Sequence, residues 1–137
     1  MTTTAKTANF PPHGRLITKL TALGPYLRQQ HSSDGYYFFD CLSSCISAKK
    51  APEEREFWGW WLILQATEQG FEYQYFFGRY NDSGEWQKEP VPAKHEQAVL
   101  QTLDDFYPKL KGLLHDELEL SLSAAKELEG PELGSAA

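Results

Sequence analysis

Sulfur, long apolar stretches, basic clusters and catalytic signatures are all scarce in this chain. Of 137 residues only two are cysteine. Cys41 and Cys45 stand four apart, which on a regular strand puts them on one face about 13 Å apart, too far for a disulfide. No histidine or second cysteine pair stands near them at zinc-ligand spacing, so both read as small buried thiols. No apolar run approaches the ~20 residues that span a bilayer, and Met1-Thr2-Thr3-Thr4-Ala5-Lys6 lacks the hydrophobic segment of a secretion signal. No membrane contact is expected, and the cytoplasm is the expected address. Thirteen Lys and Arg against nineteen Asp and Glu leave a net charge of -6 with no basic run, which argues against a phosphate-backbone partner. G-x-S-x-G, P-loop, H-E-x-x-H and dinucleotide-binding fingerprints are missing. His13, His31, His95 and His115 are scattered, none is paired in sequence with a carboxylate or thiol in a way that suggests a catalytic relay, and all read as surface residues. The pairs Glu53-Glu54 and Asp104-Asp105 are sequence neighbours on solvated stretches, not the opposed carboxylates of a glycosidase. No enzyme, metal or cofactor is expected.

What the chain has in quantity is aromatic side chains, 14% of the total beside 41% hydrophobic and 23% charged residues. The length predicts one domain that buries about 68% of its unfolded surface. Three of four tryptophans fall together in Pro52-Glu53-Glu54-Arg55-Glu56-Phe57-Trp58-Gly59-Trp60-Trp61-Leu62-Ile63-Leu64, where charge switches abruptly to aromatic. Trp combines large apolar burial with an N–H that needs a partner, so the cluster is a core strand or a recognition surface.

Along the chain, residues 1–12 read as a flexible arm ending in Pro11-Pro12. Leu16, Ile17, Leu20 and Leu23 form one helical stripe, stopped by Gly24-Pro25. His31-Ser32-Ser33-Asp34-Gly35 reads as a turn. Strands are predicted over 36–47, 57–64, 71–80 and 85–87, with Asn81-Asp82-Ser83-Gly84 as a hairpin turn. Val99, Leu103, Phe106, Leu110 and Leu113 predict a long second helix, kinked or broken where Pro108 removes a hydrogen bond. Leu118, Leu120 and Leu122 alternate as an extended piece, and 124–137 reads as a disordered tail. The result is an α+β domain over 13–123: a four-stranded antiparallel sheet with an N-terminal helix and a long, kinked C-terminal helix packed on it. The opposite, aromatic face is left open.

Adjacent strand residues point oppositely, so at least one of Trp58, Trp60 and Trp61 must look away from the helices. Arg55, at the mouth of the stretch, suits a carboxylate in a partly desolvated place. It could equally pair within the chain with Glu53, Glu54 or Asp40.

The residues Arg15-Leu16-Ile17, Leu23-Gly24-Pro25-Tyr26, Phe38-Phe39-Asp40-Cys41-Leu42 with Cys45, and above all Arg55-Glu56-Phe57-Trp58-Gly59-Trp60-Trp61 resemble the Crl family of bacterial sigma factor-binding proteins. Gly78, Gly84-x-Trp86 and Val91-Pro92 extend the likeness over roughly residues 13 to 118. A longer arm, Pro108 and the tail depart from the pattern. The resemblance implies a monomeric, non-enzymatic transcription activator that binds region 2 (domain 2) of the stationary-phase sigma factor. It would promote assembly of the RNA polymerase holoenzyme without touching DNA. It places the sigma contacts on Tyr26, Arg55, Phe57, Trp60 and Trp86, with Arg55 facing an acidic sigma motif. Because Arg55 and Phe57 share a parity that Trp60 does not, a common surface requires Arg55 and Phe57 to end a loop, or Gly59 to mark a bulge. Trp61 or Trp58 would then point inward. An open aromatic sheet could also stack single-stranded nucleic acid, and Asp40 or His115 in a cleft would be the enzyme alternative.

Overall fold

A computed structural model describes residues 10–46 and 49–134. Helix α1 (His13–Thr21) precedes β1 (Tyr36–Cys45), β2 (Phe57–Ala66), β3 (Gly70–Tyr80) and β4 (Trp86–Lys88), which pair antiparallel in that order. Helix α2 (Ala93–Lys111) and one π-helical turn, Gly112–Glu117, lead into β5 (Ser121–Ala124), which pairs parallel with Gly70–Tyr73 of β3. The alternating leucines near residue 120 thus add a fifth strand to the four expected. With β2 on one side of β3, β4 and β5 share its other edge at opposite ends.

Both helices lie on one face. Leu16 and Leu20 of α1 and Val99, Leu103, Phe106, Leu110 and Leu114 of the C-terminal helical stretch are buried against Tyr37, Phe39, Trp60, Leu62, Leu64, Phe71, Tyr73 and Tyr75. Period-2 alternation sorts these strand residues from their neighbours. Phe106 sits at the centre, with ring centroids 4.7 Å from Tyr26, 5.2 Å from Phe39 and 5.2 Å from Trp60. Helix α2 runs through Pro108, which is exposed, so the carbonyl it cannot serve lies toward water. The helix widens to the π turn only beyond Lys111.

A β-bulge in β1 reorganises the sheet next to the tryptophans. Leu42 pairs with Gly59 and Ser44 with Trp58, leaving Ser43 as the extra residue. The inserted residue flips the parity of the rest of the strand, so Cys41 pairs with Trp60 on the helix side and Cys45 with Phe57 on the other. The common face expected for the two cysteines therefore does not exist. The bulge also drives the Cys41 carbonyl into the space over Gly59, where a β-carbon would come within 2.0 Å of that oxygen. Opposite Gly59 in β3 stands Gly78, whose β-carbon would lie 2.1 Å from the Gln87 carbonyl of β4. Two close approaches of backbone to backbone thus require glycine at paired positions.

The ends of the domain are tied down where the sequence reads as loose. Phe10 packs edge-on against Phe71 at 5.4 Å, while residues 1–9 of the expected arm lie outside the described residues. The segment 125–134 crosses the exposed edge of β3. Ala125 N–H donates to the Tyr73 carbonyl, Tyr75 Oη donates to the Pro131 carbonyl at 2.5 Å, and Leu133 N–H donates to Tyr73 Oη at 2.6 Å. Lys88 pairs with Glu129 across the gap between β4 and β5. The tail expected from 124 is thus held by backbone bonds and two phenols as far as Gly134. Composition alone does not reveal those partners.

Two outcomes follow. Gly59→Ala should cost about 3 kcal/mol, because a backbone carbonyl cannot yield, whereas Gly112→Ala, helical with nothing within 4 Å, should gain about 0.5–1 kcal/mol; urea denaturation measures both. Burial pushes the Tyr73 phenol up to about 12. A group whose acidity is weakened by folding stabilises the fold below its unfolded value, about 10, and loses that contribution as pH rises toward 12. Stability should therefore fall between pH about 10 and about 12, and Tyr73→Phe should start lower at pH 8 and fall less, read from urea midpoints against pH.

Candidate functional site

The strand β2 keeps an unbroken register with β3 from Phe57–Tyr80 to Ala66–Phe71. Phe57, Gly59, Trp61 and Ile63 therefore face away from the helices, and Trp58, Trp60, Leu62 and Leu64 face them. Trp60 has no exposed surface, and its Nε1 donates to Thr102 Oγ1 of α2 at 2.9 Å. The expectation that Trp60 looks outward beside Phe57 is corrected: Gly59 does not re-aim it, because the bulge lies in β1. Trp61 is the outward tryptophan, half-buried, stacked on Phe76 at 5.3 Å and tilted against Trp86 at 5.0 Å.

Tyr26 also lies on the helix side. It stacks on Trp60 at 6.0 Å, with Lys109 Nζ 5.9 Å above its ring. Burial, then the charges of Cys41 and Asp105, raise its pKa above the ordinary value. Arg55 belongs to the loop, capping the short 3-10 turn Pro52–Glu54, and its Nε donates to the Lys50 carbonyl at 2.9 Å. Glu56, the next residue, is fixed by Arg79 Nη1 at 2.6 Å, and Arg79 also grips Glu89 at 2.9 Å. The Glu89 hydrogen bond foremost, and then Glu56, raise the Arg79 pKa. The loop end that carries Arg55 is thus anchored by its neighbour. Phe57 opens β2 on the uncovered face, between Cys45 and Tyr80.

Trp86 completes that face. Its ring lies over Gly59, touches Tyr80 at 5.3 Å, and donates Nε1–H to Asp40 Oδ2 at 3.0 Å. Asp40 Oδ1 accepts from Arg28 Nε at 2.5 Å. Asp40 is therefore taken by Arg28, not by Arg55. Around this cluster runs a groove of about 740 Å³, lined by Arg28, His31, Phe38, Leu42, Trp61 and Tyr80 among others. Of the five residues expected to share a surface, the structure groups Arg55, Phe57 and Trp86 on the open face or its end. It sets Tyr26 and Trp60 behind the sheet. Sequence reasoning missed Arg28, Trp61 and Tyr80. The parity of an unbroken β2 was the available signal for Trp61, and the pairing of Tyr80 with both Phe57 and Trp86 was not readable before the hairpin register was known.

Fold and face together define an α+β domain that presents an aromatic, arginine-flanked sheet surface. Residues 1–132 match the family model described as sigma factor-binding transcriptional regulator Crl. The chain is 65% identical over 127 residues to the sigma factor-binding protein Crl of Photobacterium profundum, covering 93% of this chain and 96% of that one. It is 44% identical over 119 residues to the protein of that description from Vibrio vulnificus, covering 87% and 92%. The chain belongs to the Crl family.

The burial of Trp60 is directly testable. Trp60→Ala should cost about 3–5 kcal/mol of stability, and Trp61→Ala less than half as much, by chemical denaturation followed by circular dichroism.

Proposed function

We propose that this protein binds region 2 of the stationary-phase sigma factor and promotes assembly of the RNA polymerase holoenzyme. It acts as a non-enzymatic, monomeric activator in the cytoplasm, with no contact to DNA. The observation that carries the reading is the uncovered face itself: Phe57, Trp61, Tyr80 and Trp86 side by side, with Arg55 at its end. Aromatic and Arg anchors dominate protein–protein hot spots, and membership of the Crl family supports a sigma factor as the partner. Stacking of single-stranded nucleic acid is disfavoured by the net charge of -6 and by Asp40 and Glu85 in the groove wall.

Mechanistically, the face captures sigma through an aromatic floor and an Arg–carboxylate anchor and favours the sigma conformer that core polymerase accepts. A ligand shifts a conformational equilibrium only by its differential affinity, so about 1–3 kcal/mol would raise holoenzyme formation about 5–150-fold. Tyr26 and Trp60 contribute by supporting the sheet from behind.

The test is a pull-down with isolated region 2 of the stationary-phase sigma factor. Arg55→Ala and Trp86→Ala should each weaken capture by about 2 kcal/mol, roughly 30-fold, with an unchanged circular dichroism spectrum. Capture equal to the parent's in both variants would sink this assignment.

A further inference from the structure

Asp40 is the one buried charged side chain among the described residues, 5% exposed, yet it points to the face that no helix covers. A buried carboxylate is stable only when paired and hydrogen-bonded, and both of its partners come from outside its own strand. Arg28 is delivered by a short extended segment flanking β1, where Arg28 N–H donates to the Phe38 carbonyl and Asp40 N–H to the Tyr26 carbonyl. Trp86 starts from the far edge strand, β4, and reaches across Tyr80 of β3 and Gly59 of β2 to arrive at β1. The carboxylate therefore ties the two opposite edges of the groove together. Its tilted contact with Trp61 and edge-on contact with Tyr80 alone would let the indole slide or lift, since aromatic contacts tolerate a range of offsets. The hydrogen bond to a charged acceptor sets its position along the sheet.

We propose that Asp40 is a positioning residue of the partner-binding face, holding Trp86 in place across β2 without itself touching the partner. This rests on the reading of that face as the sigma site. Preorganised anchors avoid the ordering cost that a freely rotating Trp would incur on association, so loss of the latch weakens binding although every contact residue is still present in the chain.

The experiment uses the full chain and region 2 of the stationary-phase sigma factor in titrations of Asp40→Leu, Asp40→Asn, Trp86→Phe and the double variant Asp40→Leu/Trp86→Phe. Solvent exchange of the Trp86 indole proton is followed by NMR, the resonance being assigned by its loss in Trp86→Phe. Asp40→Ser, too short to reach the indole, replaces Asp40→Leu if the latter does not fold. The expected result is about tenfold weaker binding and fast indole exchange in Asp40→Leu. In Asp40→Asn, which keeps one acceptor oxygen for the indole N–H but turns its NH2 toward Arg28, binding should be stronger and indole exchange slower than in Asp40→Leu. The double variant should bind no more weakly than Trp86→Phe, because a residue acting through Trp86 has nothing left to position. The proposal is overturned if Asp40→Leu binds like the parent while Trp86→Phe binds weakly, or if the two losses add. Trp86→Phe binding as tightly as the parent would instead remove the face as the sigma site, and the positioning role with it.

Discussion

The Trp60 indole lies between β2 and α2, against Phe106 and with its N–H on Thr102, and the strict alternation of a strand carries that choice along the whole of β2. With Trp60 under the helix, Leu62 and Leu64 follow it into the core, and Phe57, Gly59 and Trp61 must emerge on the other side. A slip of one residue would exchange the two sets and leave Leu62 and Leu64 in water. The helix thus determines, from behind, which aromatic rings reach the open face.

The same contact reaches the face by a second route. Thr102 Oγ1 also meets Ser43 Oγ at 2.6 Å, and Ser44 Oγ meets His95 Nδ1 at 2.7 Å, so α2 holds both residues of the β1 bulge. The bulge brings the Cys41 carbonyl over Gly59, and the absence of a side chain at Gly59 is what allows Trp86 to lie across the sheet. Trp60, Thr102, Ser43, Cys41, Gly59 and Trp86 form a continuous physical chain from helix to uncovered face. Replacement of Trp60 would accordingly disturb the face without Trp60 ever being exposed there.

Much of this was legible in the residues. The order of helices and strands, the Asn81–Gly84 turn, where Asn81 Oδ1 accepts from Ser83 and Glu85 N–H, and the existence of an uncovered aromatic face follow from period and turn chemistry. The bulge was not legible, because Leu42, Ser43 and Ser44 read equally well as a regular strand and only the partner strand exposes the extra residue. That one insertion accounts for the misread cysteines; the outward Trp60 came from the resemblance, which set it on one surface with Phe57 although strand parity already placed the two on opposite faces. The fifth strand was half visible as alternating leucines, but its pairing with β3 is a long-range contact that no local pattern encodes. The clamp of residues 125–134 on Tyr73 and Tyr75 escaped for the same reason.

An uncovered aromatic sheet is a hazard as well as a site, since flat apolar faces invite self-association. Here the rings are not left flat and free. Trp86 lies over glycine and a buried carboxylate, Arg28 and Arg55 add charge at one side and one end, and Leu42, 37% exposed, is the large aliphatic side chain left open in the groove. The bulk charge of -6 describes the average surface, whereas recognition is decided by the few groups that a partner desolvates. Two copies of a domain that carries a net charge of -6 repel each other at long range, which disfavours self-association through this face. The polar groups of the face hold its aromatic rings in place, and the rings supply its apolar area.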